Sequence, residues 1–147
     1  MKLFRLTLML FCLFVFQQTS FAQQTSIQKQ KFHFGNNMQD TAAGYAQAIK
    51  VDNVIYISGT VAINITPEGI NRLYATLEKT LNHYGAGFQH VVKENLYTTD
   101  IEAMKTYNEF RKVFYKNDFP AATWVQVSRL YMPDAKLEVE LIAHLPK

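Results

Sequence analysis

Two glutamates in the run LEVELIAHL, Glu138 and Glu140, stand two residues apart near the end of a 147-residue chain. Alternation puts both on one face of a β-strand, with Leu137, Val139 and Leu141 on the other. A carboxylate on a sheet face that something covers is costly unless a cation, a water or a ligand answers it. In a partly dry cleft such a group can hold a water against an electrophilic carbon and carry protons to a leaving nitrogen. The competing reading of Glu138 is a solvated strand carboxylate, or an ion pair with Lys136 or Lys93.

Other chemistries are excluded by what the chain lacks. Cys12 is its single cysteine and lies in the apolar run LTLMLFCLFVF, behind the basic start MKLFR and ahead of the small-x-small site Ser20-Phe21-Ala22. This pattern predicts a cleaved signal peptide over residues 1–22, since 11 apolar residues fall short of the roughly 20 a spanning helix needs. The mature protein is then expected outside the cytoplasm, periplasmic or extracellular, with no membrane attachment. Without Cys12 there is no thiol nucleophile, thiolate metal site or disulfide. His33, His83, His90 and His144 show no metal-ligand spacing, so no metal is expected. Losing Lys2 and Arg5 with the leader leaves 13 basic against 12 acidic residues, a scattered net +1 that argues against nucleic acid as a partner.

Residues 23–30 read as a flexible tail and 31–147 as one domain. KFHF is a short edge strand and GNNMQDTAAG a loop. YAQAIKV and NVIYISGTVAI form a hairpin about Asp52-Asn53. Thr66-Pro67 opens a helix whose apolar stripe is Ile70, Leu73, Tyr74, Leu77, Leu81 and Tyr84, and Gly85 stops it. VVKENLYTT is a strand. Thr99 or Asp100 then caps a second helix with Ala103, Tyr107, Phe110 and Phe114 on one face. Strands over 122–130 and 136–144 are expected to close the chain as a hairpin around Met132-Pro133-Asp134-Ala135. This order predicts an α+β domain, one mixed sheet with both helices on one face. Val54 and Tyr56 against Ile55 and Ile57 make both sheet faces apolar, so self-association is expected to cover the second.

Gly44-Tyr45-Ala46-Gln47-Ala48, Ile57-Ser58-Gly59, Val91-Val92-Lys93, Thr98-Thr99-Asp100, Asn108, Phe119-Pro120-Ala121 and Leu137-Glu138-Val139-Glu140 occur in the order and spacing of a known family. Together they resemble the RidA/YjgF proteins, or reactive-intermediate deaminases, from about Ala43 to Ala143. The resemblance implies a chorismate-mutase-like six-stranded fold assembled as a homotrimer with clefts between subunits. It also implies hydrolysis of small reactive enamines or imines without cofactor or metal. Carried over by position, Tyr45 lines the cleft, Ser58 and Gly59 border the ligand, Asn108 shapes the site and Glu138 positions the water.

Two departures accompany the resemblance. Pro120-Ala121-Ala122-Thr123 puts Ala122 where the deaminases carry an arginine that grips the substrate carboxylate, a contact worth roughly 1.5–3 kcal/mol. Arg129 offers no replacement, being expected on the opposite face of the same strand and about 23 Å away. Trp124 shares the face of Ala122 and of the expected cleft, where it either packs or stacks on a ligand. The connection VAINITPEG is also short, which predicts a more open rim. Two readings follow: a deaminase-type hydrolase with weak or no activity on 2-imino acids, or a non-catalytic small-molecule-binding trimer.

Overall fold

Residues 26–35 and 38–147 are described by the computed structural model; the expected leader and residues 23–25 of the tail lie outside them. The strands are β1 (Gln30–Phe32), β2 (Ala48–Val51), β3 (Val54–Ala62), β4 (Val91–Thr98), β5 (Ala121–Gln126) and β6 (Leu137–His144). The helices are α1 (Met38–Ala43), α2 (Pro67–His83), α3 (Ile101–Thr106) and α4 (Asn108–Tyr115), with a short 3-10 turn at Phe88–His90. Gln30, expected in the tail, is the first residue of β1.

The expected α+β architecture is present: one sheet in the order β1-β2-β3-β6-β4-β5, antiparallel except for the parallel β4/β5 pair. Its centre is β6, because Leu137, Val139, Leu141 and Ala143 bury completely or nearly so on the helix side. They meet the α2 stripe of Ile70, Leu73, Tyr74, Leu77 and Leu81. Each such leucine contributes roughly 1.5–3 kcal/mol. Helix α2 starts as expected: the Thr66 hydroxyl accepts from the Gly69 amide at 3.2 Å and Pro67 fills the first turn. Gly85, with φ +71°, takes the left-handed position that ends the run. Asp52, φ 51°, turns the β2/β3 hairpin.

Three expectations are corrected. The closing strands are not a hairpin: β5 lies at the sheet edge, parallel to β4, and β6 inserts between β3 and β4. Burial explains this, since β6 is apolar on alternate residues while β5 is exposed almost throughout and stops at Gln126. Arg129 therefore lies beyond the strand, on an exposed loop. The second helix is interrupted at Tyr107, and its buried residues are Met104, Arg111 and Tyr115 rather than Ala103 and Phe110. A partner on β4 draws Arg111 inward, as described below. Finally, part of the expected loop GNNMQDTAAG is the short helix α1, favoured by Ala42 and Ala43 and ended by Gly44 at φ +80°.

Candidate functional site

The sheet has one face under the helices and one open face, and the two glutamates of β6 stand on the open one. Neighbouring strands add Ile49, Tyr56, Lys93, Asn95 and Tyr97 to that face, and β6 itself adds Ile142. Tyr56 is 49% exposed there. Glu140 is answered within the chain: its Oε1 accepts from Asn95 Nδ2 at 2.7 Å and from Tyr97 Oη at 3.2 Å. Burial, then the Glu140 charge, holds the Tyr97 hydroxyl above its ordinary pKa. Glu138 differs. It is half-buried, no described residue donates a hydrogen bond to it, and Lys93 spends its ammonium on Thr123 Oγ1 at 2.7 Å. Burial, and secondarily Glu140, raises the Glu138 pKa above the usual carboxylate value.

Opposite these glutamates β3 carries a bulge. Ile57 pairs with Leu141 and Thr60 with Val139, so Ser58 and Gly59 together face Glu140. The Glu138 side chain lies directly across Gly59: a Cβ added there would collide with its Oε1 and stand 2.6 and 2.8 Å from Cδ and Cγ. Only glycine leaves room for the carboxylate in that position. The bulge is pinned from β2: Ser58 Oγ donates to the Ala46 carbonyl at 2.7 Å, and the Ser58 amide donates to the Gln47 carbonyl at 2.9 Å. Gln47, buried and not singled out from sequence, donates from Nε2 to Ser58 O at 3.3 Å and Thr60 Oγ1 at 3.4 Å. Tyr45, exposed, precedes this tied segment. A hollow of about 250 Å³ adjoins the bulge, walled by Tyr56, Ser58, Lys93, Asn95, Glu140 and Ile142. Glu138 stands outside its walls, one strand repeat further along the same face.

Asn108, Ala122 and Trp124 occur elsewhere. Parallel register sets Ala122 beside Glu94 and Trp124 beside Leu96, both of which point under the helices. Trp124 therefore packs against the core and does not share a face with Glu138, contrary to expectation. Beneath it lies a network with no signature in the sequence. Glu94, fully buried, accepts from Arg111 Nε at 2.8 Å, Tyr74 Oη at 2.9 Å and Tyr115 Oη at 2.5 Å. The Arg111 guanidinium carbon sits 4.9 Å from the Tyr115 ring centre and 5.4 Å from that of Trp124. Burial and the Glu94 charge push both tyrosine hydroxyls well up. Asn108 starts α4 one turn before Arg111, and its Oδ1 is buried without a partner among the described residues. The sequence-predicted site thus divides into Ser58, Gly59 and Glu138 at the bulge of the open face, with Tyr45 just before the segment that pins it, and a second group of Ala122 and Trp124 on β5 and Asn108 on α4.

Comparison with known proteins decides the family. The family model for endoribonuclease L-PSP matches residues 35–145. The chain is a member of the RidA/YjgF family. A RutC family protein of Buchnera aphidicola is 33% identical over 110 residues, covering 67% of this chain and 85% of the relative. The human 2-iminobutanoate/2-iminopropanoate deaminase is 31% identical over 108 residues, covering 67% of this chain and 78% of its own. Among solved structures, a YjgF/YER057c/UK114 family member of Mycobacterium tuberculosis superposes with a TM-score of 0.72 at 22% identity, covering 80% of this chain and all of that one. That likeness establishes the RidA/YjgF fold here. No group of three or more His, Cys, Asp or Glu side chains gathers as a metal site among the described residues.

Proposed function

We propose that this chain hydrolyses small reactive imines or enamines, with Glu138 as the base that positions water. One observation carries the reading: a half-buried carboxylate, pressed across a glycine at a strand bulge, with no hydrogen-bond donor among the described residues and a raised pKa. Such a group is drawn partly out of bulk water with no described donor to hold its charge, which suits proton transfer better than packing. The balance is simple. Water oxygen bonds to the imine carbon while its first proton passes to Glu138 and on to the nitrogen, giving a carbinolamine; the carbinolamine hydroxyl then yields the second water proton through the same carboxylate to nitrogen, the C–N bond breaks, and ammonia and a carbonyl product leave.

The division of the site favours a homotrimer. One copy presents Glu138, Ser58 and Gly59 on its open face, with Tyr45 beside the pinned bulge, and a second brings β5 with Trp124, and α4 with Asn108, to meet them. The open face retains exposed Tyr56 and half-buried Ile49 and Ile142, apolar surface that a partner copy removes from water. The human relative is named for 2-iminobutanoate and 2-iminopropanoate. For this chain Ala122 places no guanidinium on β5, so turnover of those 2-imino acids is weak. With the leader expected at residues 1–22, the reaction takes place outside the cytoplasm. The test couples an amine oxidase, which supplies an imine without a carboxylate, to ammonia detection: Glu138→Gln abolishes imine hydrolysis above background, whereas hydrolysis undiminished in that variant overturns the assignment.

A further inference from the structure

The Glu94 network has a polar surplus. Arg111 is fixed by its Nε alone; no described residue accepts from its terminal nitrogens. Its side chain is only 6% exposed, yet those nitrogens are not sealed in, since among the described residues the one buried side-chain atom without a partner is Asn108 Oδ1. A nearly buried guanidinium with open N–H groups calls for an acceptor. The neighbouring rings of Tyr115 and Trp124 and the bond to Glu94 fix its plane, so that its end-on pair of N–H groups is preorganised rather than searching. Ala122 beside Glu94 is exposed and short, so β5 has no long side chain at that point to fill the space. One turn back along α4, Asn108 Oδ1 lacks a donor.

We infer that Arg111 is a carboxylate-binding residue: its two terminal nitrogens seat the carboxylate of a small ligand at the β5 edge, and Asn108 Oδ1 accepts from a donor on the same ligand. The inference rests on the small-molecule site proposed above and names a residue for its anionic end. Glu94 attenuates the seat, because a ligand carboxylate there shares one guanidinium with a buried carboxylate. Carboxylate ligands therefore bind, but weakly, and removing the Glu94 charge tightens them.

The experiment titrates the full-length protein with 2-oxobutanoate and with its methyl ester, followed by NMR, and needs no turnover. Wild type favours the acid modestly. Glu94→Gln, which keeps shape and an acceptor for the tyrosines, raises that preference about tenfold or more. The double variant Glu94→Gln/Arg111→Met, which leaves no lone buried charge, erases it. Arg111→Lys retains the ion pair and loses the fork, and lowers the preference severalfold if the double variant does not fold. An acid preference that persists without Arg111, or one that neither Glu94→Gln nor Arg111→Lys changes, overturns the inference. Loss of ammonia release in Glu138→Gln with the acid preference intact separates this inference from the hydrolase reading.

Discussion

Gly59→Ala tests the Glu138 assignment without touching the carboxylate. The new methyl would coincide with Oε1 and approach Cδ and Cγ to 2.6 and 2.8 Å, all on one side chain. Oε1 alone could swing aside cheaply, but Cγ moves only by a change of rotamer near the backbone, so the whole carboxylate leaves the bulge. Stability should change little, because Glu138 gives up no hydrogen bond from any described residue; a moderately strained rotamer costs about 0.5–1.5 kcal/mol. Activity should change greatly, since displacing a general base forfeits roughly 10²- to 10⁴-fold. Ammonia release from oxidase-generated imine, set beside a thermal melt of the same sample, reads both. The reasoning is refuted if the variant melts within a few degrees of wild type and keeps activity within threefold of it.

The remaining predictions rest on the three glutamates and the β5 edge. Folding raises the Glu138 pKa above its ordinary 4.5, so the native state holds that proton longer and its stabilising effect fades as pH climbs from about 4.5 through the raised value. Glu138→Gln should therefore gain on wild type in urea melts over that window, and the two should converge below pH 4.5. Glu140→Gln removes the secondary cause of the shift, so the rise of activity with pH should begin at lower pH, though burial keeps it above 4.5. Tyr115→Phe deletes one donor to the buried Glu94 carboxylate and should cost about 1.5–3 kcal/mol by denaturant melts. Ala122→Arg should raise turnover of 2-iminopropanoate; no gain in a folded variant counts against a carboxylate at this edge.

Legibility in the sequence followed how local the determining physics was. Thr66-Pro67 and Gly85 bound α2 because caps act on adjacent amides, and the alternation of β6 fixed which residues go inward. Strand neighbours are a different matter. Nothing in Ala121–Gln126 states that it pairs with β4 and not with β6; that outcome depends on which strand can bury a face. The same gap hid Glu94 and Arg111, 17 positions apart, because a buried ion pair looks like two solvated charges until the fold joins them. Gln47, too, read only as a strand residue, and its grip on the bulge needed the β2/β3 register.

Glu94, Glu138 and Glu140 illustrate why residue type alone could not assign the site. Glu94 receives three donors and stabilises the layer beneath the helices, Glu140 receives two, and Glu138 receives none from the described residues. A fully answered carboxylate is a poor base, since each donor that holds its charge lowers its appetite for a proton; the unanswered one retains it. Part of its desolvation is already supplied within one chain by the bulge and neighbouring strand. A second copy laid on the open face, as proposed, would supply the remainder and drive the Glu138 pKa higher. Assembly and catalysis are then coupled through one group: dilution that separates the copies should lower the activity per chain and move its pH onset downward together, whereas a change in either alone would break the link.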